Sequence, residues 1–187
     1  MKLIKQKNET WEWIKALLIA FTIAFLIRFF LFTPVMVDGK SMDPTLHDKE
    51  RMMVNKFSYK IGEPQRYDLV VFHATEEKDY IKRVIALPGE HIAYKNDELY
   101  INGKIMDEPY LEARKKELFK GEGTLTEDFT LEDTIGETKI PEGYVFVMGD
   151  NRRNSLDSRI IGLVPIEEIV GKTNVIYWPL DKFRYTK

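Results

Sequence analysis

Three polar stretches of the chain carry residue types suited to making and breaking acyl bonds. Gly39-Lys40-Ser41-Met42-Asp43-Pro44-Thr45 offers a serine shortly after a long apolar segment. The run from Asp79 to Glu90 sets Lys82 among strand-forming apolar residues, and Gly149–Arg159 is a dense polar cluster containing Ser155, Asp157 and Arg159. A serine hydroxyl is a weak nucleophile until a base takes its proton. Histidine or lysine is the base on offer. The only histidines are His47, His73 and His91. None falls in a metal-ligand spacing, and the chain has no Gly-x-Ser-x-Gly elbow, so each reads as a surface or structural histidine. Gly39-Lys40-Ser41 resembles the end of a phosphate-binding loop. That loop requires a glycine where this chain has Pro34, which rules the phosphate reading out.

Period-two alternation puts Tyr80, Lys82, Val84 and Ala86 on one strand face and Ile81, Arg83 and Ile85 on the other. On a buried face Lys82 is desolvated, which disfavours its charged form and lowers its pKa. The neutral amine then accepts a serine proton near neutral pH. On an exposed edge the same lysine keeps its ammonium in water, and the strand pattern alone leaves both readings open.

The elements around these stretches follow from hydropathy. From Ala16 to Phe32, with Trp13 and Ile14 in front, the chain is apolar on every side, broken late by Arg28. That length reaches the roughly 20 residues needed to cross a bilayer. Arg28 can snorkel to the headgroups, and Trp11 and Trp13 mark the opposite interface. No small-x-small cleavage site follows in Thr33–Asp38, so the segment is expected to stay attached. Lys2, Lys5 and Lys7 place the N-terminus in the cytoplasm. The expected division is 1–12 cytoplasmic, 13–33 anchor and 34–187 outside. Beyond Pro34 come short runs rich in Val, Ile, Tyr and Phe: 35–37, 51–57, 67–73, 80–87, 91–95, 99–106, 144–148, 160–164 and 170–178. Asn102-Gly103 is a hairpin signal. These runs predict a mainly β, antiparallel domain. Residues 110–120 read as a short helix, 121–139 are acidic and threonine-rich, and 165–169 read as one helical turn. An insertion is expected at about 104–141.

Composition bounds the rest. The chain has 187 residues, room for one domain or one domain with an insertion. Its 28 basic and 30 acidic residues give a net charge of −2, so no basic field points to nucleic acid. Without cysteine there are no disulfides, thiol nucleophiles or thiolate metal sites.

Four motifs behind an apolar anchor carry a resemblance. They are Ser41-Met42-Asp43-Pro44-Thr45-Leu46, Tyr67-Asp68-Leu69-Val70-Val71-Phe72, Lys82-Arg83-Val84-Ile85-Ala86-Leu87-Pro88-Gly89-Glu90, and Gly149-Asp150-Asn151-Arg152 continuing to Asn154-Ser155, Asp157-Ser158-Arg159. In this order the chain resembles the type I signal peptidases of bacteria, in the compact single-anchor form typical of Gram-positive species. The resemblance implies that Ser41 attacks the scissile carbonyl and that Lys82 is the base, later returning a proton to the leaving amine. It implies that Ser155 hydrogen-bonds and orients Lys82, and that Asp157 and Arg159 are structural. The Ser41 backbone N–H is the implied oxyanion donor. Where some members add a serine hydroxyl, this chain has Gly39, so a water or another N–H must serve. Arg153 stands where an acidic residue is common. The implied substrates are exported preproteins, cut after small-x-small residues. An extended peptide would pair with a strand edge over shallow pockets expected at Val37, Leu46, Tyr80 and Ile81. Met42 either dips toward the bilayer or packs in the core. The resemblance implies no cofactor or metal, no obligate protein partner and a phospholipid membrane as the site of work. The rival readings are a tethered β module that only binds proteins, and a soluble, self-cleaving Ser–Lys regulator.

Overall fold

The computed structural model describes residues 9–75, 77–118 and 123–186, without the side chains at 27–30, 60 and 61. Lys2, Lys5, Lys7, the Arg28 side chain and the end of the 110–120 helix lie outside the described residues. The first element is α1 (Glu9–Leu31), 23 residues long and therefore about 35 Å. Among the described residues no helix is long and apolar enough to cross a membrane. The side chains of Ile27, Phe29 and Phe30 fall outside that description, while Glu9, Glu12 and Lys15 fall within it.

The chain passes directly from α1 into β1 (Phe32–Met36), so the helix stops three residues before Pro34. Proline fits there because β1 is an edge strand. There follow β2 (Arg51–Asn55), α2 (Ser58–Ile61), β3 (Leu69–Thr75) and β4 (Lys78–Ala86). A second group comprises β5 (Ile92–Lys95), β6 (Glu98–Ile101), β7 (Lys104–Met106), α3 (Glu112–Leu118), β8 (Phe129–Thr130) and α4 (Leu131–Ile135). The chain closes with β9 (Tyr144–Met148), α5 (Ser158–Ile161), β10 (Val164–Pro165), β11 (Ile169–Trp178) and β12 (Arg184–Tyr185). The main sheet runs β1-β2-β11-β3-β4-β9-β10, with β12 on β11, and the second runs β7-β6-β5-β8. Every pairing is antiparallel. The fold is thus mainly antiparallel β.

The excursion carrying the second sheet leaves at Gly89–Glu90 and returns at Ile140. There Gly89 N–H donates to Ile140 C=O and Ile140 N–H to Glu90 C=O, at 2.8 and 2.9 Å. This corrects the expected boundary near 104, which cuts through the second sheet. Strands β5 and β6 alternate like those of the main sheet, so local pattern did not reveal that they pair apart from it. Two tight hairpins follow: Asn96-Asp97 joins β5 to β6 and Asn102-Gly103 joins β6 to β7, all four residues having positive φ. The expected strand at 160–164 begins in the short helix α5 and becomes strand only at Val164, in β10. Asp157 caps the helix by accepting from Arg159 N–H, and Ile160 points outward, 70% exposed. The turn expected at 165–169 is a 3₁₀ turn at Ile166–Glu168.

One core layer joins the sheets, packing Ile85, Phe146 and Met148 against Ile92, Tyr94 and Leu99. Another lies beneath the Ser41 loop, built from Val37, Met42, Leu46, Met52, Leu69 and Ile176. Of the two alternatives for Met42, the core holds: the side chain is fully buried. Burying Met42 and Leu46 stabilises the loop by about 1.5–3 kcal/mol each.

Candidate active site

The loop between β1 and β2 presents Ser41. Val37 N–H donates to Glu50 C=O and Lys49 N–H to Val37 C=O, both at 2.8 Å, which closes the base of the loop. Gly39 turns the chain with φ of +95°, a conformation open to glycine. Its N–H donates to Asp48 Oδ1 at 2.8 Å. Beyond Ser41, Met42 and Leu46 plug into the core and Leu46 N–H donates to Met42 C=O at 2.9 Å. The hydroxyl is thus held beside a fixed hydrophobic anchor.

Lys82 reaches this hydroxyl from β4. Register places Arg83 opposite Met148 of β9, so residues 78–82 of β4 have no β9 partner. At that free edge Lys82 Nζ lies 2.9 Å from Ser41 Oγ and 3.1 Å from its neighbour's carbonyl, Ile81 O. The lysine is only 3% exposed, and its nitrogen lies 5.1 Å from the Tyr80 ring centre. Burial lowers its pKa to about 8, against the opposing pull of the Asp157 and Asp150 carboxylates. The two readings of Lys82 left open by the strand pattern therefore resolve to the buried one.

The polar loop after β9 braces both groups. Arg83 grips Asp150 at two points, Nε to Oδ1 at 2.9 Å and Nη2 to Oδ2 at 2.7 Å, with both side chains fully buried. Thr45 of the serine loop also donates to Asp150. Asn151 N–H donates to the Ser41 carbonyl. Asp157 accepts from Gly149 N–H at 3.0 Å and pairs with Arg159 at 2.8 Å. Burial alone would raise the Asp157 carboxyl, but Arg159, Gly149 N–H and Ser155 together hold it below its ordinary value. Ser155 departs from expectation. Among the described residues its buried hydroxyl makes no hydrogen bond to Lys82; its influence is on the Asp157 carboxyl. It packs over the bare Cα of Gly149 instead, where a Cβ would come within 2.2 Å.

A cleft of about 220 Å³ opens in front of Ser41 and Lys82. Val37, Tyr80 and Ile81 line it. Leu46 does not; it is wholly buried under the loop, because the turn after Ser41 rotates it into the core. Met36, Asp38, Asp79 and Leu156 also line the cleft and were not picked out from sequence. Alternation on β1 and β4 was the available signal for the first three. A larger concavity of about 700 Å³ lies beyond Ser155, toward Thr124 and Arg153, away from the Ser41 hydroxyl. The histidines engage carboxylates instead of Ser41: His47 with Asp43, His73 with Asp79 of the cleft lining and His91 with Glu132. Among the described residues no group of three or more His, Asp or Glu side chains is placed to hold a metal.

A hydroxyl beside a low-pKa amine, lining an open cleft, has the chemistry of a peptide-bond hydrolase. Comparison with known proteins narrows that class. Residues 10–178 match the family described as signal peptidase, peptidase S26. The chain is 49% identical to signal peptidase I of Bacillus caldolyticus, over 97% of this chain and 96% of that one. It is 48% identical to signal peptidase I T of Bacillus subtilis (strain 168), over 100% and 95%. With signal peptidase IB of Staphylococcus aureus (strain MRSA252) the identity is 44%, over 96% and 95%. The crystal structure of a signal peptidase I from Enterococcus faecalis V583 superposes with a TM-score of 0.55 at 41% identity, covering 59% of this chain and 97% of that one. The chain belongs to the signal peptidase family, peptidase S26, and is a serine endopeptidase of that family. The resemblance drawn from the four motifs is correct.

Proposed function

We propose that this chain is a membrane-anchored peptidase that removes signal peptides from exported preproteins, cutting after small-x-small residues with a Ser41–Lys82 dyad. The observation that carries the reading is the 2.9 Å approach of Lys82 Nζ to Ser41 Oγ by a lysine only 3% exposed. Neutral Lys82 takes the Ser41 proton as Oγ adds to the scissile carbonyl. The resulting ammonium gives that proton to the leaving amine, and an acyl-Ser41 ester remains. Lys82 then activates a water to hydrolyse the ester and restore the hydroxyl. The Ser41 N–H stabilises the oxyanion. Gly39 has no hydroxyl to add, so a second donor must be a water or another backbone N–H. The Ser155 hydroxyl, which makes no hydrogen bond to Lys82 here, is available to orient the amine once substrate fills the cleft. Asp157 and Arg159 hold that loop in place.

The substrate would enter as an extended strand between the outer edge of β1 and the unpaired edge of β4 at residues 78–82. The side chains two apart that face inward would meet Val37, Tyr80 and Ile81, a shallow apolar floor suited to small residues. Residues 13–33 serve as the anchor in this reading, with residues 1–12 in the cytoplasm and 34–187 outside. The apolar sequence continuing through α1 supports that placement. Confining enzyme and preprotein to one bilayer raises their effective concentration.

The test is cleavage of a purified preprotein in vesicles by wild type, Ser41→Ala and Lys82→Ala, read by mass spectrometry. Wild type should cut after a small-x-small sequence, and both folded variants should be silent. Retained cutting by Ser41→Ala would overturn the dyad, and by Lys82→Ala would return the base to the histidines.

A further inference from the structure

The small-x-small rule leaves its middle residue unspecified, but the cleft does not. Two large apolar side chains stand at its opening with little protein against them. Met36, the last residue of β1, is 51% exposed, and Leu156, in the loop after β9, is 44% exposed. Both line the same 220 Å³ cleft as Ser41 and Lys82. The loop carrying Leu156 is not loose. On one side Ser155 packs on Gly149. On the other, Asp157 is fully buried and bound to Gly149 N–H and Arg159. A leucine held outward between two anchored residues keeps its apolar surface in water, which costs free energy unless something covers it.

Strand alternation says what covers it. A peptide extended along β1 and β4 turns its first and third residues toward the floor and its middle residue toward the opening. The opening is where Met36 and Leu156 stand. Asp38 and Asp79 also line this cleft, and their side chains are 81% and 44% exposed. Each has a cationic or ionisable partner, Lys49 and His73 respectively, so the field they add is weak and screened. Its sign is negative, which disfavours an acidic middle residue.

We infer that Met36 and Leu156 form a subsite for the middle residue of the small-x-small tripeptide, favouring an aliphatic or aromatic side chain over an acidic one. The inference rests on the proposed function, since it requires that function's substrate. Unlike the floor positions, this subsite is open to solvent, so it grades substrates rather than excluding them. Adding or removing a contact of one apolar side chain corresponds to about a 10-fold change in kcat/KM.

The experiment uses the full chain in detergent micelles and again in lipid vesicles. Peptides share alanine at the first and third positions and carry Ala, Leu, Phe, Lys or Asp between them. Wild type should cut the Leu and Phe peptides about 10-fold better than the Ala peptide, with the Asp peptide poorest. Leu156→Ser and Met36→Ser should each flatten the Leu-over-Ala ratio. Ile105→Ser, an exposed apolar residue on β7, should leave it unchanged. Leu156→Lys should raise the Asp peptide relative to the Leu peptide, a reversal that loss of fold cannot produce. A wild type that cuts all five peptides equally overturns the inference while leaving the dyad intact. So does a Leu156→Ser defect that appears only in vesicles and ignores the middle residue, which would assign these side chains to the lipid surface. A wild type that cuts none of the five overturns the proposed function instead.

Discussion

Asn151 holds the Ser41 loop at two consecutive carbonyls. Its backbone N–H donates to Ser41 C=O at 3.0 Å, and its side-chain Nδ2 donates to Lys40 C=O at 3.0 Å. The loop that presents the hydroxyl is therefore docked onto the loop after β9 by polar contacts, in addition to the Met42 and Leu46 anchors below it. Asn151→Ala removes only the Lys40 contact. A stability loss of about 1 kcal/mol is expected, with a fall in kcat of about 10-fold because the hydroxyl is less tightly aimed. Thermal melts and peptide kinetics on the same preparation check both. Unchanged kcat with lowered stability would confine Asn151 to a folding role.

Gly149 is where these loops come closest. A Cβ there would sit 2.2 Å from Ser155 Oγ and 2.4 Å from the Ser41 carbonyl oxygen, nearer than atoms tolerate. The second contact is to backbone and cannot be relieved by a rotamer change. Gly149→Ala should cost about 1–3 kcal/mol or more through overpacking and lower kcat about 100-fold by displacing Ser41. A near-normal kcat in a folded Gly149→Ala protein would mean that the Ser41 loop can shift without loss.

Lys82 should make the protein less stable than it needs to be. Its folded pKa of about 8 lies below the ordinary lysine value of 10.5, and burial is the principal cause. Between those values the unfolded chain binds the proton and the folded chain does not, so stability rises with pH across that interval. Below about pH 8 the burial penalty is present in full. Lys82→Met should therefore be inactive but more stable, by on the order of 2–3 kcal/mol at pH 7. That advantage should vanish as pH approaches 10.5. Denaturant titrations at pH 6, 8 and 10 would show it. In wild type, kcat/KM should rise with pH through an apparent pKa near 8.

Features set by local pattern were legible in the sequence, and features set by distant partners were not. The β strands around Lys82 and Val145 announced themselves by Val, Ile and Tyr content, and Asn102-Gly103 announced its hairpin. The stretches around Ser41 and Lys82 stood out because each is dense with turn residues or apolar neighbours, while the strand pattern alone left Lys82 open between an exposed and a buried reading. Which sheet Ile92–Lys95 joins depends on Leu99, Phe129 and the return at Ile140, and no short window contains that information. Leu46 was misassigned for a related reason. An apolar residue after the nucleophile can face the cleft or the core, and the choice is made by the turn that brings Leu46 N–H onto Met42 C=O. Ile160-Ile161 read as strand because both are β-branched, yet the Asp157 cap overrides that preference.

The pairing of Glu108 with Arg152 was equally hidden, and it joins the second sheet to the site. Both are buried. Arg152 Nη2 donates to Glu108 Oε1, its Nη1 donates to the Tyr94 hydroxyl, and its Nε donates to the Gly149 carbonyl at 3.1 Å. Burial alone would raise the Glu108 carboxyl, but the Arg152 charge and the Tyr94 hydrogen bond hold it below its ordinary value. Glu108→Gln leaves a buried guanidinium without its counter-charge, and breaking such a pair costs about 3–5 kcal/mol. A carboxyl with a lowered folded pKa contributes stability above its unfolded value and loses it as pH falls through the folded one. The gap in stability between wild type and Glu108→Gln should therefore be widest at neutral pH and close in acid. Because Arg152 also holds Gly149, kcat should fall at temperatures where both proteins remain folded. Equal activity there would show that the second sheet stabilises the molecule without steadying the Ser41 loop.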